Sequence, residues 1–295
     1  KLICRLCESK DLIKVLKLES TPPANSFVKL SESNKEQVRI PIEVGFCENC
    51  SHVQLLQIVD PVSLFKEYLY VSGTSPVFLK HFSNYVSDIE NWVNEKGLII
   101  DIGSNDGSLL KKFQTNNWTV LGIDPAENLC KIANEEQIET INSFFTKKLA
   151  LEIKNKYGQA KVITANNVFA HVDNLVEIVD GLKILMNNKS IFVFEVSYLL
   201  NVINDVLFDT IYHEHLSYHS VKPLSQFFKK NDMELVHVKK VSSHGGSIRG
   251  IVQKSSGIYK SDDTVNSLIN QERHAGLYNA MTFICYEKKN YRNKK

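Results

Sequence analysis

From residue 98 the chain alternates between short apolar runs and longer amphipathic stretches. LIIDIG (98–103), TVLGID (119–124), IETIN (138–142), KVITANN (161–167) and SIFVFEV (190–196) are runs of strand length, rich in β-branched residues. Between them SNDGSLLKKFQ, PAENLCKIANEE, TKKLALEIKNKYG and VDNLVEIVDGLKILM carry apolar positions at helical spacing, the second opening on proline. A further helical stretch, KPLSQFFKKNDM, precedes two strands around a Gly-Gly turn in ELVHVKKVSSHGGSIRGIVQK (234–254). Buried runs alternating with helices predict an α/β domain: a mostly parallel, doubly wound sheet ending in an antiparallel hairpin.

Upstream, Phe78, Phe82, Tyr85, Val86, Ile89 and Val93 recur at the spacing of one amphipathic helix, after a Tyr/Ser/Gly-containing stretch. VRIPIEV (38–44) alternates with a period of two and TPPANSF (21–27) has turn composition, so the first segment reads as strands and turns. The pattern divides the chain into a β-rich module over 1–66, a helical connector over 67–97, the α/β domain over 98–255 and a helical tail over 256–295.

Composition adds limits. A chain of 295 residues that is 43% hydrophobic and 23% charged buries an ordinary globular core. A net charge of +2 argues against nucleic acid or an anionic membrane surface as partner. The basic KKNYRNKK at the C-terminus reads as a solvated tail. No run approaches the ~18 apolar residues of a membrane-spanning helix, and KLICRLCESK lacks the apolar centre of a secretory signal. The expected location is the cytoplasm, with no membrane partner.

The cysteines point to metal. Cys4–Cys7 and Cys47–Cys50 form two C-x2-C pairs among six cysteines. Such pairs suit tetrahedral Zn²⁺ in a reducing compartment, and four thiolates leave no open position, so the expected zinc is structural. His52 follows closely but four cysteines already suffice.

Two further features carry chemistry. Asp101 and Gly103 end the first strand of the α/β domain, and Gly107 opens the helix after it. Glycines there let backbone approach a ligand, and the helix N-terminus adds N–H groups. The G-x3-G spacing is neither the dinucleotide fingerprint nor a P-loop, which disfavours NAD and ATP. Asp124, ending the second strand, stands where a carboxylate meets the ribose hydroxyls of an adenosine. The second feature is FDTIYHEHLSY (208–218), with two histidines, a glutamate and two tyrosines in a chain that has nine histidines. A metal site, an acid–base site and a polar loop are all open. The H-E-H spacing lacks the helical register of H-E-x-x-H, which weakens the metal reading. His81, His219, His237 and His274 read as structural or surface residues. HGGSIR (244–249) reads as a hairpin turn whose His244 and Arg249 could face a ligand.

CRLC (4–7), CENC (47–50), YLYVSGTS (68–75), LIIDIGSNDGSLL (98–110), NNVFAHV (166–172), FEVSYL (194–199), FDTIYHEHLSYHS (208–220) and HGGSIR follow one another in that order. With these segments the chain resembles the sugar C-methyltransferases, which methylate a carbon of nucleotide-linked 4-keto-deoxysugars with S-adenosylmethionine (SAM). The resemblance implies a Rossmann-like SAM-dependent methyltransferase domain preceded by a small zinc-binding β-rich domain. It implies a SAM pocket lined by Asp101, Gly103, Asn105, Gly107, Asp124, Pro125, Asn166 and Asn167. Around the sugar it implies His171, Tyr212, Glu214 and His215, with Tyr70 preferred to Tyr68 from the Y-x-Y stretch.

Methylating carbon needs a proton removed beside a ketone and the enolate oxygen stabilised, and histidine and tyrosine suit those tasks near neutral pH. His215 or His171 is the expected base, with Tyr212 and Glu214 positioning substrate or base. His213 points the other way if the segment is extended. The implied partner is a TDP- or similar diphospho-sugar, and the implied protein a monomer or weak homo-oligomer. Family members continue into a further domain, so 256–295 is expected to be a truncated part of it. Competing readings keep the chemistry on another enolisable carbonyl, or make the chain a non-catalytic SAM-binding or zinc-bearing partner module.

Overall fold

In the computed structural model, residues 2–25 and 27–288 are described; Lys1, Ser26 and 289–295, which hold most of KKNYRNKK, lie outside the described residues. The chain begins with an antiparallel meander of β1 (Leu12–Thr21), β2 (Ile40–Cys47) and β3 (Val53–Leu55). A short helix α1 (Pro61–Phe65) follows, its N-terminus capped by Asp60 with proline at the first position. Helix α2 (Pro76–Glu90) starts the same way, with Ser75 accepting from Phe78 N, and buries Phe82, Tyr85, Val86 and Ile89 as the periodicity predicts. It stops at Glu90, so Val93 lies beyond it.

Then comes the alternation: β4 (Leu98–Ile102), α3 (Ser108–Thr115), β5 (Thr119–Asp124), α4 (Glu127–Glu135), β6 (Thr140–Asn142), α5 (Lys147–Tyr157), β7 (Ala160–Asn166), α6 (Leu175–Leu185) and β8 (Met186–Ser197). A short helix α7 (Leu199–Asn204), strand β9 (Ser217–Tyr218), helix α8 (Val221–Lys230), and the strands β10 (Met233–Val241) and β11 (Ser247–Lys254) complete the domain. The sheet order is β6-β5-β4-β7-β8-β11-β10, and only β11 runs against its neighbours. The order reverses beside β4, so the carboxyl ends of β4, β5 and β7 open one crevice. Both faces of the sheet are covered. Ile99 joins the core formed with α2 and α3, and its neighbour Ile100 joins the core formed with α5 and α6. That is why these strands are apolar without alternation.

Three details differ from the sequence pattern. Helix α4 starts at Glu127 rather than at Pro125, because the Asp124 carboxylate accepts Ala126 N and holds the turn open. Strand β8 follows α6 without a loop and starts four residues before the apolar run. The tail forms two helices, α9 (Thr264–His274) and α10 (Ala280–Glu287), broken near Gly276 at φ 75°. Glu272 of α9 is fully buried and accepts from the first two amides of α8 and from Tyr198 and Tyr278. Helix α10 packs on β1, with Phe283 5.6 Å from Phe46.

The two sheets are joined by the histidine-rich segment. Its end, β9, pairs with β3 and becomes the fourth strand of the N-terminal sheet.

Candidate active site

The cysteine pairs sit in two matching knuckles. Each ends on a left-handed residue, Glu8 at φ 65° and Ser51 at φ 69°, whose amide donates to the carbonyl of the first cysteine of its pair. The four Sγ atoms of Cys4, Cys7, Cys47 and Cys50 lie within 4.8 Å of one another. Cys4–Cys50 and Cys7–Cys47 are each 3.6 Å apart. A tetrahedron with Zn–S of about 2.3 Å has edges of about 3.8 Å, so the donor set fits zinc with no open position. His52 is turned away and meets Ser217 Oγ at 3.2 Å.

At the crevice, Gly103 adopts φ 70°, and a Cβ there would lie 2.5 Å from Val168 Cγ2, so only glycine fits. Asp101 and Asp124 are 3% and 6% exposed, and neither forms an ion pair among the described residues. Asp124 accepts from Asn105 N and Ala126 N, both at 2.8 Å, and Asp101 accepts from Thr164 Oγ1 at 2.6 Å. Burial pushes the Asp101 carboxyl up to about 7, against the Thr164 hydrogen bond and with Asp124 adding repulsion. Burial likewise raises Asp124. Two buried carboxyl groups with no cation beside them among the described residues make a crevice that favours a positively charged ligand, which would also draw Asp101 to its ionised form.

The segment 68–73 lies across the crevice as a strap. Asn105 accepts from Ser72 N and donates to Tyr70 O, both at 2.9 Å, while Asp106 accepts from Gly73 N. Asn128 exchanges two hydrogen bonds with the backbone of Tyr68. The Asn105 side chain is thus engaged by the strap. Gly107, at φ 76°, precedes α3, and Pro125 O accepts from Asn142. On β7, Asn166 Oδ1 is buried without a partner among the described residues, and Asn167, at φ 57°, donates its amide to Glu195 O.

The histidine-rich segment is a tight turn rather than an extended run, since His215 N donates to Tyr212 O at 3.1 Å. The turn brings Tyr212 and His215 onto one side, with ring centroids 4.4 Å apart. His213 points the other way and meets Ile40 O at 3.1 Å. His215 Nδ1 donates to Thr210 O at 2.7 Å, which leaves Nε2 as the acceptor, 3.3 Å from the Tyr212 hydroxyl. His171 stands over this ring at 4.9 Å, and its Nδ1 has no partner among the described residues. Burial pushes His215 down to about 4 and His171, beside it, to about 3, so both are neutral at pH 7.

Glu214 is 1% exposed and accepts from Asn25 Nδ2 at 2.5 Å and from the Tyr68 hydroxyl at 3.3 Å. The cluster therefore receives Tyr68, whereas Tyr70 is 45% exposed and lies against Phe78. Period-two alternation puts Tyr68 and Tyr70 on one side, so nothing in the spacing supports the preference for Tyr70. Asn25 carried no sequence signal beyond its place in a turn.

HGGSIR supplies a buried ion pair. Arg249 Nη2 lies 2.9 Å from Glu195 Oε2, and His81 and Ser243 meet the other oxygen. Burial would raise Glu195, but His81 and Arg249 hold it down at about 2.

Residues 78–238 match the family described as "Methyltransferase domain", which is more than half of the chain. The chain belongs to this methyltransferase family. Its sheet is the Rossmann-like methyltransferase sheet, and residues 4–65 match the family described as "Putative zinc binding domain". The chain is 29% identical over 276 residues to the C-methyltransferase NovU of Streptomyces niveus, across 93% of its own length. It spans 66% of the length of that curated relative. Among solved structures, magnesium protoporphyrin IX methyltransferase from Synechocystis shares 13% identity over 60% of this chain and 77% of its own, with a TM-score of 0.43. A protein from Pyrococcus horikoshii shares 11% over 67% of this chain and 100% of its own, with a TM-score of 0.49. Among the described residues no helix is long and apolar enough to cross a membrane.

Proposed function

We propose that this methyltransferase moves a methyl group from SAM to the carbon beside the ketone of a nucleotide-linked 4-keto-deoxysugar. One observation carries the reading. His215 commits Nδ1 to a backbone carbonyl, so a neutral Nε2 lone pair faces Tyr212 inside a buried cluster.

SAM is a cation, and the crevice suits it: Asp101 and Asp124 are buried without counter-ions among the described residues, and Gly103 keeps the loop clear. Asp101, Gly103, Asp124, Asn166 and Asn167 would hold it, the Asp124 carboxylate keeping free lone pairs for ribose hydroxyls. When bound, SAM supplies an electrophilic methyl group on sulfur. The protein's own residues make the carbon nucleophilic. His215 Nε2 takes the proton from the carbon beside the ketone, and the electron pair moves onto the ketone oxygen. The Tyr212 hydroxyl, released from Nε2 as that nitrogen takes the proton, would donate to that oxygen, with His171 on the other side of the base. Of the two strap tyrosines, Tyr70 is the one expected beside the sugar, and the hydrogen bond of the Tyr68 hydroxyl to Glu214 favours Tyr68 for that role.

The test incubates the purified protein with SAM and a TDP-4-keto-6-deoxy sugar, with an ordinary aldose as control. Mass spectrometry and NMR should find a new methyl on the carbon beside the ketone and S-adenosylhomocysteine released. His215→Asn should lower turnover by about 10²- to 10⁴-fold while SAM still binds with parental affinity. Parental turnover in that variant would remove His215 from the mechanism.

A further inference from the structure

We propose that Asn25, on the loop between β1 and β2 of the cysteine-bearing module, is a positioning residue of the acid–base cluster that fixes the Glu214 carboxylate. The inference rests on the reading of 212–215 as the catalytic turn.

Glu214 is buried, and no Lys, Arg or His forms an ion pair with it among the described residues. A buried carboxylate is costly unless donors meet it. Its donors are Asn25 on Oε1 and Tyr68 on Oε2, and both come from outside the turn. The nearer titratable groups offer no cation. Tyr68 from the strap and Tyr212 from the turn itself both have raised pKa values that Glu214 helps to raise. His171 lies against the Glu214 backbone, and it and His215 are neutral. Burial raises the Glu214 carboxyl, and Asn25 and then Tyr68 draw it back.

The loop is placed for this task. Pro22 and Pro23 restrict the chain just before Asn25. At its other end Ile40 O accepts from His213, the residue before Glu214. The module therefore grips the turn on both sides, and one grip ends on the carboxylate.

The experiment titrates Glu214 by difference infrared spectroscopy in the apo-protein, with E214Q identifying the band. N25A should raise the midpoint by about one pH unit. N25D keeps the shape but replaces the donor with a like charge, and should raise it further. N25Q keeps an amide and should recover part of the loss. In turnover with the keto-sugar, N25A should lose about tenfold in kcat, N25D more, each binding SAM with unchanged Kd. An unchanged Glu214 midpoint in N25A would overturn the proposal, as would N25D and N25A behaving alike in the titration. Should N25A not fold, N25D against N25Q decides by the same order. Should the parent show the titration but no turnover on any keto-sugar, the reading of the function fails and the role of Asn25 stands.

Discussion

His219 shows what one buried side chain does to the whole. It is 1% exposed, and its Nε2 meets Phe169 O at 3.1 Å. Burial lowers it to about 4, against the help of that carbonyl. The unfolded chain, with histidine near 6.5, binds the proton more tightly than the folded one. Acid therefore favours unfolding: the stabilisation is complete above about 6.5 and is lost as the pH falls toward 4. At pH 5 the difference is about 2 kcal/mol for this residue alone. Urea midpoints at pH 7 and pH 5 should separate less in His219→Gln than in the parent. Equal separation would mean that His219 is not the group titrating. His171 and His215 share this sign, so the acid that destabilises the fold also protonates the proposed base and takes away its lone pair. The same scale separates Tyr68 from Tyr70: their spacing is symmetrical, and only the path of the strap brings Tyr68 to Glu214.

At the scale of elements, the HGGSIR turn is a lesson in reading polar motifs. Arg249 sits on β11 directly across from Glu195 on β8, and both side chains are 3% exposed. Arg249 also pairs with Asp88 at 2.7 Å, and its loss would leave the buried Glu195 with His81 as its remaining ionic neighbour among the described residues, so Arg249→Met should cost about 3 kcal/mol. Adding Glu195→Gln should restore much of that, which denaturant unfolding would detect. If the single variant is as stable as the parent, Arg249 is freer than its geometry implies. The tail is likewise an element bound into the fold. Glu272 of α9 closes the N-terminus of α8 with two amide hydrogen bonds, which no local pattern in 264–274 announces.

At the scale of the molecule, the cysteine module and the methyltransferase sheet share the turn at 212–218. Arg5, between Cys4 and Cys7, donates to the carbonyls of Leu55 and Leu216 and pairs with Asp173 at 2.9 Å. Metal removal should therefore act at a distance. Chelation should release one zinc per chain and speed amide exchange both in 2–60 and in 212–218. Exchange in β4 and β5 should stay slow, because their pairing lies wholly within the large sheet. SAM affinity, read by calorimetry, should hold. Equal protection of 212–218 before and after chelation would uncouple the module from the turn.

The pattern of the sequence by itself determined the doubly wound sheet, the amphipathic helix through Phe78–Ile89, though not its end at Glu90, and the cysteine cluster. Each depends on local periodicity or on short spacing, which the chain states directly. Its motifs also placed Asp101, Gly103 and Asp124 at the crevice, since strand ends converge wherever a parallel sheet changes order. Tertiary structure alone decided that Tyr212–His215 turns sharply, that β9 joins the N-terminal sheet, and that Asn25 and Tyr68 meet on Glu214. Those contacts join residues 146 and 189 positions apart. Period and spacing describe neighbours along the chain, whereas a buried carboxylate takes its donors from whatever segment packing brings within reach.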